Sequence, residues 1–320
     1  MKVLIGPNRH GLETCLPDVE KTYPDVEFAH CANRENLGQE IADAHIYLGW
    51  LNREHFLAAK RLKWIQSPST GVDRFLAIPE LAAGDVLLTS ATGSHGPQMA
   101  EHTMAMILAM TRGIRGCVLR QQEHRWGLRE LAPQMIELTG STLGIIGFGT
   151  SGRAIAKRAQ AFDMRIVAVD LFPTDRPDHV AWLRGTDSLD QLLRESDYVV
   201  VTVPFTRGNE GSLGADQLAL MKPTARLIVI SRGGIVDEAA LAGALREGRL
   251  AGAALDVTAT EPLPPDSELW DIENLLISPH LAGGSQLGGQ RILELFIDNL
   301  GRFVHGEFPL RNQVDKQRGF

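Results

Sequence analysis

The chain has 320 residues, of which 44% are hydrophobic, enough to bury a core in each of two domains. Its formal net charge of -7 argues against a nucleic-acid or anionic-membrane partner. The 3 cysteines, Cys15, Cys31 and Cys117, form no CxxC pair and cannot build a disulfide framework, which suits a reducing cytoplasm.

The chain opens on MKVLIGPNRH, whose apolar run is cut short by Gly6 and Pro7. It therefore reads as a first strand rather than a signal peptide or membrane anchor. VLIG, IYLG, KWIQ and VLLT follow as short strands ending near Gly6, Gly49, Ser67 and Thr89. A helix is predicted from Pro97 to Arg112, apolar on almost every face and so buried between layers. Its run MAMILAM, from Met104 to Met110, is far too short to span a bilayer. RQQEHRWGLRE then reads as exposed helix and loop. From Ser141 onward the strands TLGIIG, RIVAVD, YVVVTVP, RLIVI, GAALDV and LLISP recur with helices between them. Six strands in roughly 140 residues is the content of one doubly wound nucleotide-binding domain. A last helix runs from about Gln286 and ends on Gly306 as its C-cap. The fold class is thus α/β, with doubly wound parallel sheets.

Between TLGII and the following helix lies Gly147-Phe148-Gly149-Thr150-Ser151-Gly152, a G-x-G-x-x-G. Gly147 suits the tight turn, Gly149 a pyrophosphate against the backbone, and Gly152 the packing of helix on strand. The helix N-terminus then offers its amides to the phosphates. The next strand ends at Asp170, where an acid can accept from both adenosine ribose hydroxyls. An acid there repels a 2′-phosphate and favours NAD over NADP. Arg176 could soften that preference but reads better as a loop charge.

Ligands of open α/β sheets bind beyond the carboxyl ends of the strands. RLIVI ends in Ser231-Arg232-Gly233-Gly234, GAALDV leads through Asp256 to Glu261 among prolines, and LLIS ends at Pro279-His280. Singly, Arg232 could be an interface ion pair, Glu261 a turn acid and His280 a hydrogen-bonded core residue. Together they form a chemical set. An imidazolium can donate the proton that a developing alkoxide needs, and a neighbouring carboxylate holds the ring. Arginine can fork onto a carboxylate and polarise the adjacent carbonyl.

TLGIIGFGTSGRAIA, SRGGIVDEAALAGALREGRLAGAALDV, EPLP and SPHLAGG, in that order, resemble the D-isomer-specific 2-hydroxyacid dehydrogenase family over essentially the whole chain, up to the closing NQVDKQRGF. The resemblance implies two Rossmann-like domains with a cleft between them. The substrate domain would be discontinuous, residues 1–98 plus 286–320, with residues 99–285 as the NAD-binding domain. Hinges would fall near Gln98 to Glu101 and near Ser285 to Gly289. It implies a catalytic triad of Arg232, Glu261 and His280, with His280 as proton donor in reduction. Asp256 would hold the nicotinamide carboxamide and Asp170 the ribose. Gly147, Phe148, Gly149, Thr150, Ser151, Gly152, Val203, Pro204, Ser231 and Gly283 complete the expected cofactor set. Ser69, Thr70, Gly71 and Val72 would meet the substrate alongside Arg232, the amides of Gly71 and Val72 taking its carboxylate.

Trp50 stands where similar glyoxylate and hydroxypyruvate reductases carry a pocket tryptophan, and either substrate contact or plain packing fits it. No metal is expected. A homodimer through the cofactor domain is implied, with Gln98 to Met110 and Gly116 to Glu130 as interface candidates. The chain departs from the family pattern at Thr258, at PFTRGNEG from Pro204 to Gly211, and at SHGPQ. The expected activity is NAD-dependent interconversion of a small 2-keto acid and its D-2-hydroxy acid, with glyoxylate, hydroxypyruvate and a phenylpyruvate-like acid as candidates. Glu261 argues against formate oxidation, since the family's formate enzymes carry glutamine there. The alternatives are a phosphite-type dehydrogenase on the same scaffold, or a non-catalytic NADH-sensing protein of the co-repressor kind.

Overall fold

The computed structural model describes residues 1–206 and 208–319. Arg207, within PFTRGNEG, and Phe320, the last residue of NQVDKQRGF, lie outside the described residues. The chain divides into two compact units, Met1–His95 with Gly284–Phe320, and Gly96–Gly283.

The smaller unit is a parallel sheet of β1 (Lys2–Ile5), β2 (Glu27–His30), β3 (Ile46–Leu48), β4 (Trp64–Gln66) and β5 (Leu87–Thr89), in the order β2-β1-β3-β4-β5. The inner strands are continuous apolar runs because both faces are covered. Leu4, Tyr47 and Ile65 pack one face with Phe75, while Val3, Ile5 and Trp64 pack the other. That second face is closed by the helix Gly288–His305, through Ile292, Phe296 and Leu300. Phe296 is fully buried and stacks on Trp64 at 5.5 Å between ring centroids. Truncating such a ring to alanine costs about 3–5 kcal/mol. The helix stops at Gly306, whose φ of 73° is left-handed, so the C-cap expected there is present.

The larger unit is a parallel sheet of β6 (Thr142–Ile146), β7 (Arg165–Val169), β8 (Val180–Arg184), β9 (Tyr198–Val201), β10 (Arg226–Val229), β11 (Gly252–Leu255) and β12 (Leu275–Ile277). Its order is β12-β11-β10-β9-β6-β7-β8, which reverses direction at the junction of β6 and β9. That reversal is the switch point at which doubly wound sheets bind ligands. Along β9, Val199 and Val201 face the helices Leu189–Glu195, Ala215–Leu220 and Glu238–Arg246. Tyr198 and Val200 face the helices Gly96–Thr111 and Thr150–Gln160.

Two strands exceed those read from the sequence, β2 and β8, and both are sheet edges. An edge strand has one ladder and a partly wet face, so its sequence lacks a long apolar run. In β8, Val180 and Trp182 are buried while Ala181 and Arg184 are exposed. The helix Gly96–Thr111 also differs from the expected all-round burial. Ala100, Met104 and Ile107 are buried, but Glu101 and Ala105 are exposed, and Glu101 pairs with Arg158 at 2.9 Å. Among the described residues no helix is long and apolar enough to cross a membrane.

Candidate active site

β6 delivers the chain to the switch point at Gly147, whose φ is +93°. A Cβ there would stand 2.8 Å from Val203 Cγ1 and 2.9 Å from Thr202 Oγ1. Thr202 Oγ1 in turn donates to the Gly147 carbonyl at 2.6 Å, so β9 braces the turn. A Cβ on Gly149 would meet nothing within 4 Å, which leaves the backbone open to a ligand. A Cβ on Gly152 would press on the Gly147 carbonyl and lie 3.2 Å from Ile145 Cγ2. Positions 147 and 152 thus have no room for a larger side chain, while position 149 stands open. The helix Thr150–Gln160 begins here, with Gly149 as an N-cap that brings no side chain to its first amides.

β7 ends at Asp170. Its Oδ2 accepts from the Phe148 amide at 2.6 Å and its Oδ1 from the Phe172 amide at 2.8 Å. The carboxylate therefore pins the glycine turn to the end of β7. It lines a cavity of about 460 Å³ together with Phe148, Gly149, Arg153, Phe172 and Thr174. Arg153 was not singled out in the sequence. It projects from the first turn of the helix, donates to Thr174 Oγ1 at 2.7 Å and lies 4.9 Å above the Phe148 ring. Arg176, weighed as a modifier of cofactor choice, donates instead to the Val180 carbonyl and braces its own loop. The Ser231 hydroxyl is buried and has no hydrogen-bond partner among the described residues. An orphaned polar atom, an unobstructed Gly149 and a cavity with an acid at its wall together fit a dinucleotide.

The chemistry-bearing residues follow three adjacent strands. β10 leads to Arg232, β11 to Asp256 and Glu261, and β12 to His280. Gly233 approaches the Thr258 carbonyl so closely that a Cβ would not fit, which draws the loops after β10 and β11 together. Arg232 is half-buried, and its Nη1 donates to the Ser231 carbonyl at 2.8 Å. Glu261 Oε1 accepts from the Thr258 amide at 3.3 Å, and Oε2 lies 2.8 Å from His280 Nδ1. The Glu261 and His280 side chains are 29% and 45% exposed, so the pair is open to a ligand. His280 has a φ of +55°, a left-handed conformation that β-carbon sterics disfavour in L residues.

Asp256 holds that turn. The His280 amide donates to the Asp256 carbonyl at 2.8 Å. The Leu281 and Ala282 amides donate to Asp256 Oδ1 at 2.8 Å and Oδ2 at 2.9 Å. Ser278 Oγ donates to Oδ1 at 2.5 Å, and His102 Nε2 lies 3.3 Å from the same oxygen. Burial by itself would raise the Asp256 pKa, but the donors from His102, Ser278, Ala282 and Leu281 outweigh it and hold the carboxyl below its usual range. Oδ2 has a lone pair beyond the Ala282 amide. Gly283, next in the chain, accepts from Gln98 Nε2 at 3.3 Å.

In the smaller unit, Trp50 follows β3 and stacks on Phe75 at 5.0 Å, with the Tyr47 hydroxyl donating to its carbonyl at 2.9 Å. The loop after β4 is tied by Ser67 Oγ, which donates to the Ser69 carbonyl at 3.0 Å and accepts from the Ser69 amide at 3.1 Å. Thr70 Oγ1 lies 3.4 Å from His95 Nδ1, Gly71 is half-buried, and Val72 is buried at the start of the helix Asp73–Leu76.

Comparison with known proteins gives the family. Residues 104–282 match the family model described as D-isomer specific 2-hydroxyacid dehydrogenase, NAD binding domain. The chain is 37% identical over 286 residues to a glyoxylate reductase of Thermofilum pendens, covering 87% of this chain and 83% of that one. A D-isomer specific 2-hydroxyacid dehydrogenase family protein from Aeromonas salmonicida superposes with a TM-score of 0.86 at 28% identity, over 98% of both chains. An NADPH-dependent glyoxylate/hydroxypyruvate reductase from Sinorhizobium meliloti, solved with NADP and sulfate, gives 0.85 at 26% identity over 100% of both. With a matched cofactor domain and relatives along most of its length, the chain belongs to the D-isomer specific 2-hydroxyacid dehydrogenase family, enzymes that work with a nicotinamide dinucleotide.

Proposed function

We propose that the chain reduces a small 2-keto acid to its D-2-hydroxy acid, and runs the reverse reaction, with NAD(H) as the preferred cofactor. The observation that carries this reading is the 2.8 Å contact between His280 Nδ1 and Glu261 Oε2 at the ends of adjacent strands. With Nδ1 committed to the carboxylate, Nε2 is the atom that exchanges a proton with substrate. Arg232 binds the substrate carboxylate and polarises the carbonyl, and the amides of Gly71 and Val72 are further carboxylate ligands. Ser69, Thr70 and Trp50 would line the pocket. A bound nicotinamide dinucleotide supplies the hydride. In reduction His280 Nε2 gives its proton to the alkoxide oxygen as that charge develops; in oxidation it takes the proton from the hydroxyl.

Gly147 to Gly152 would receive the pyrophosphate and Asp170 the ribose hydroxyls. Val203, Pro204, Ser231, Gly283 and Asp256 Oδ2 would line the nicotinamide half. The Asp170 carboxylate supports NAD over NADP, since a 2′-phosphate there would meet a negative charge. Glyoxylate leads the substrate candidates because a relative and a solved structure both carry that name, and hydroxypyruvate follows because the solved structure names it. A homodimer through the larger unit and a cytoplasmic location complete the proposal. Exposed Ile114, Val118, Leu119 and Trp126, the last 91% exposed, support the interface. The free cysteines support the compartment.

Following NADH oxidation over a panel of 2-keto acids tests the reading. Turnover of at least one acid, with the D product identified by chiral chromatography, supports it. Tight NADH binding without turnover of any acid overturns it in favour of a sensor.

A further inference from the structure

We propose that His102, on the helix Gly96–Thr111, is a positioning residue that acts through Ser278 and Asp256 to hold His280 for proton transfer. The inference rests on the reading of His280 as the proton donor. His102 Nε2 lies 2.9 Å from Ser278 Oγ and 3.3 Å from Asp256 Oδ1. The Ser278 hydroxyl has one proton, and at 2.5 Å it is given to Asp256 Oδ1, because an ionised carboxylate can only accept. His102 Nε2 must therefore carry a hydrogen and donate.

The chain of contacts leads to the reacting group. The amides of His280, Leu281 and Ala282 all end on Asp256, the first on its carbonyl and the other two on its carboxylate. These bonds hold His280 in its left-handed conformation, with φ of +55°, and so aim the ring at Glu261. Asp256 is 1% exposed, so each donor it keeps decides how well a buried charge is tolerated. Without His102 the carboxylate has one donor fewer and the turn one support fewer. The His280 ring is then free to leave the orientation that Glu261 and the substrate require. His102 touches neither substrate nor Glu261 in this scheme; its whole effect passes through the turn.

The test compares His102→Leu, which removes the donor, with His102→Gln, whose amide N–H can reach the position of Nε2. His102→Leu is expected to lower kcat roughly ten- to a hundredfold, with the Kd for NADH within about threefold of wild type and His102→Gln recovering most of the loss. Combining His102→Leu with Ser278→Ala is expected to add little to the worse single variant, because both break one path. A kcat for His102→Leu within about twofold of wild type, a glutamine variant no better than the leucine one, or a loss confined to NADH affinity would each overturn the proposal. If His102→Leu does not fold, Ser278→Ala with and without His102→Gln decides by the same criteria. If the wild-type chain turns over no keto acid, the functional reading has failed on its own. The crystal structure of His102→Leu then settles this inference: a displaced 280–282 turn supports it and an unmoved turn overturns it.

Discussion

His280 Nδ1 and Glu261 Oε2 lie 2.8 Å apart, although the residues come from the loops after two different strands. The contact commits Nδ1 to the carboxylate, so Nε2 is the nitrogen that the proposed reaction would use. His280→Ala is expected to lower kcat by about 10²- to 10⁴-fold while leaving NADH affinity within a few fold. Glu261→Gln, which keeps the shape but not the charge, should fall between. Steady-state rates beside NADH fluorescence titration check both; near-normal turnover of the alanine variant would remove His280 from the proton path.

Asp170 accepts from the Phe148 and Phe172 amides and lines the same cavity as Arg153. Removing the acid while the guanidinium stays should favour a phosphorylated ribose. Asp170→Ala is expected to shift the kcat/KM ratio of NADH to NADPH toward NADPH by roughly ten- to a hundredfold. An unmoved ratio would mean that Asp170 only braces the glycine turn.

Asp256 is buried, yet its four donors keep its pKa below the ordinary carboxylate value. A carboxyl with a depressed folded pKa stabilises the fold above the unfolded value, near 4. That contribution is lost as pH falls through the folded pKa. Thermal denaturation followed from pH 7 down to pH 3 should show Asp256→Asn melting below wild type at neutral pH, with the gap closing in acid. A gap independent of pH would assign the effect to shape rather than charge.

Burial pushes the Cys15 thiol up to about 11, and burial also raises that of Cys31, whereas Cys117 is exposed. At pH 8 only roughly one Cys15 in a thousand is thiolate. Cys15 and Cys31 should therefore resist an aromatic disulfide reagent in the native protein, and Cys117→Ser should leave that protection unchanged. Rapid reaction of two thiols in the native protein would contradict the packing around Cys15 or Cys31.

Much of this was legible along the chain because the signals are local. β1, β3, β6 and β9 read as strands since burial on both faces demands unbroken apolar runs. The glycines at 147 and 152 and the C-cap at Gly306 each answer a backbone requirement in or beside a single turn. Arg232, Glu261 and His280 could be placed at one edge of the sheet in advance because a parallel sheet aligns its carboxyl ends.

What the sequence by itself determined is therefore the α/β class, the glycine turn and the three strand ends that carry Arg232, Glu261 and His280, since periodicity and turn chemistry act over one element. The tertiary structure alone decided the rest. The edge strands β2 and β8 exist only because a neighbour offers them a ladder. Arg153 reaches the cavity of Asp170 because a helix and a strand end converge there. His102 meets Asp256 and Ser278 only when a helix early in the chain lies across the ends of two late strands. A buried carboxylate needs donors wherever the fold can bring them, and their positions in the sequence carry no mark of that need.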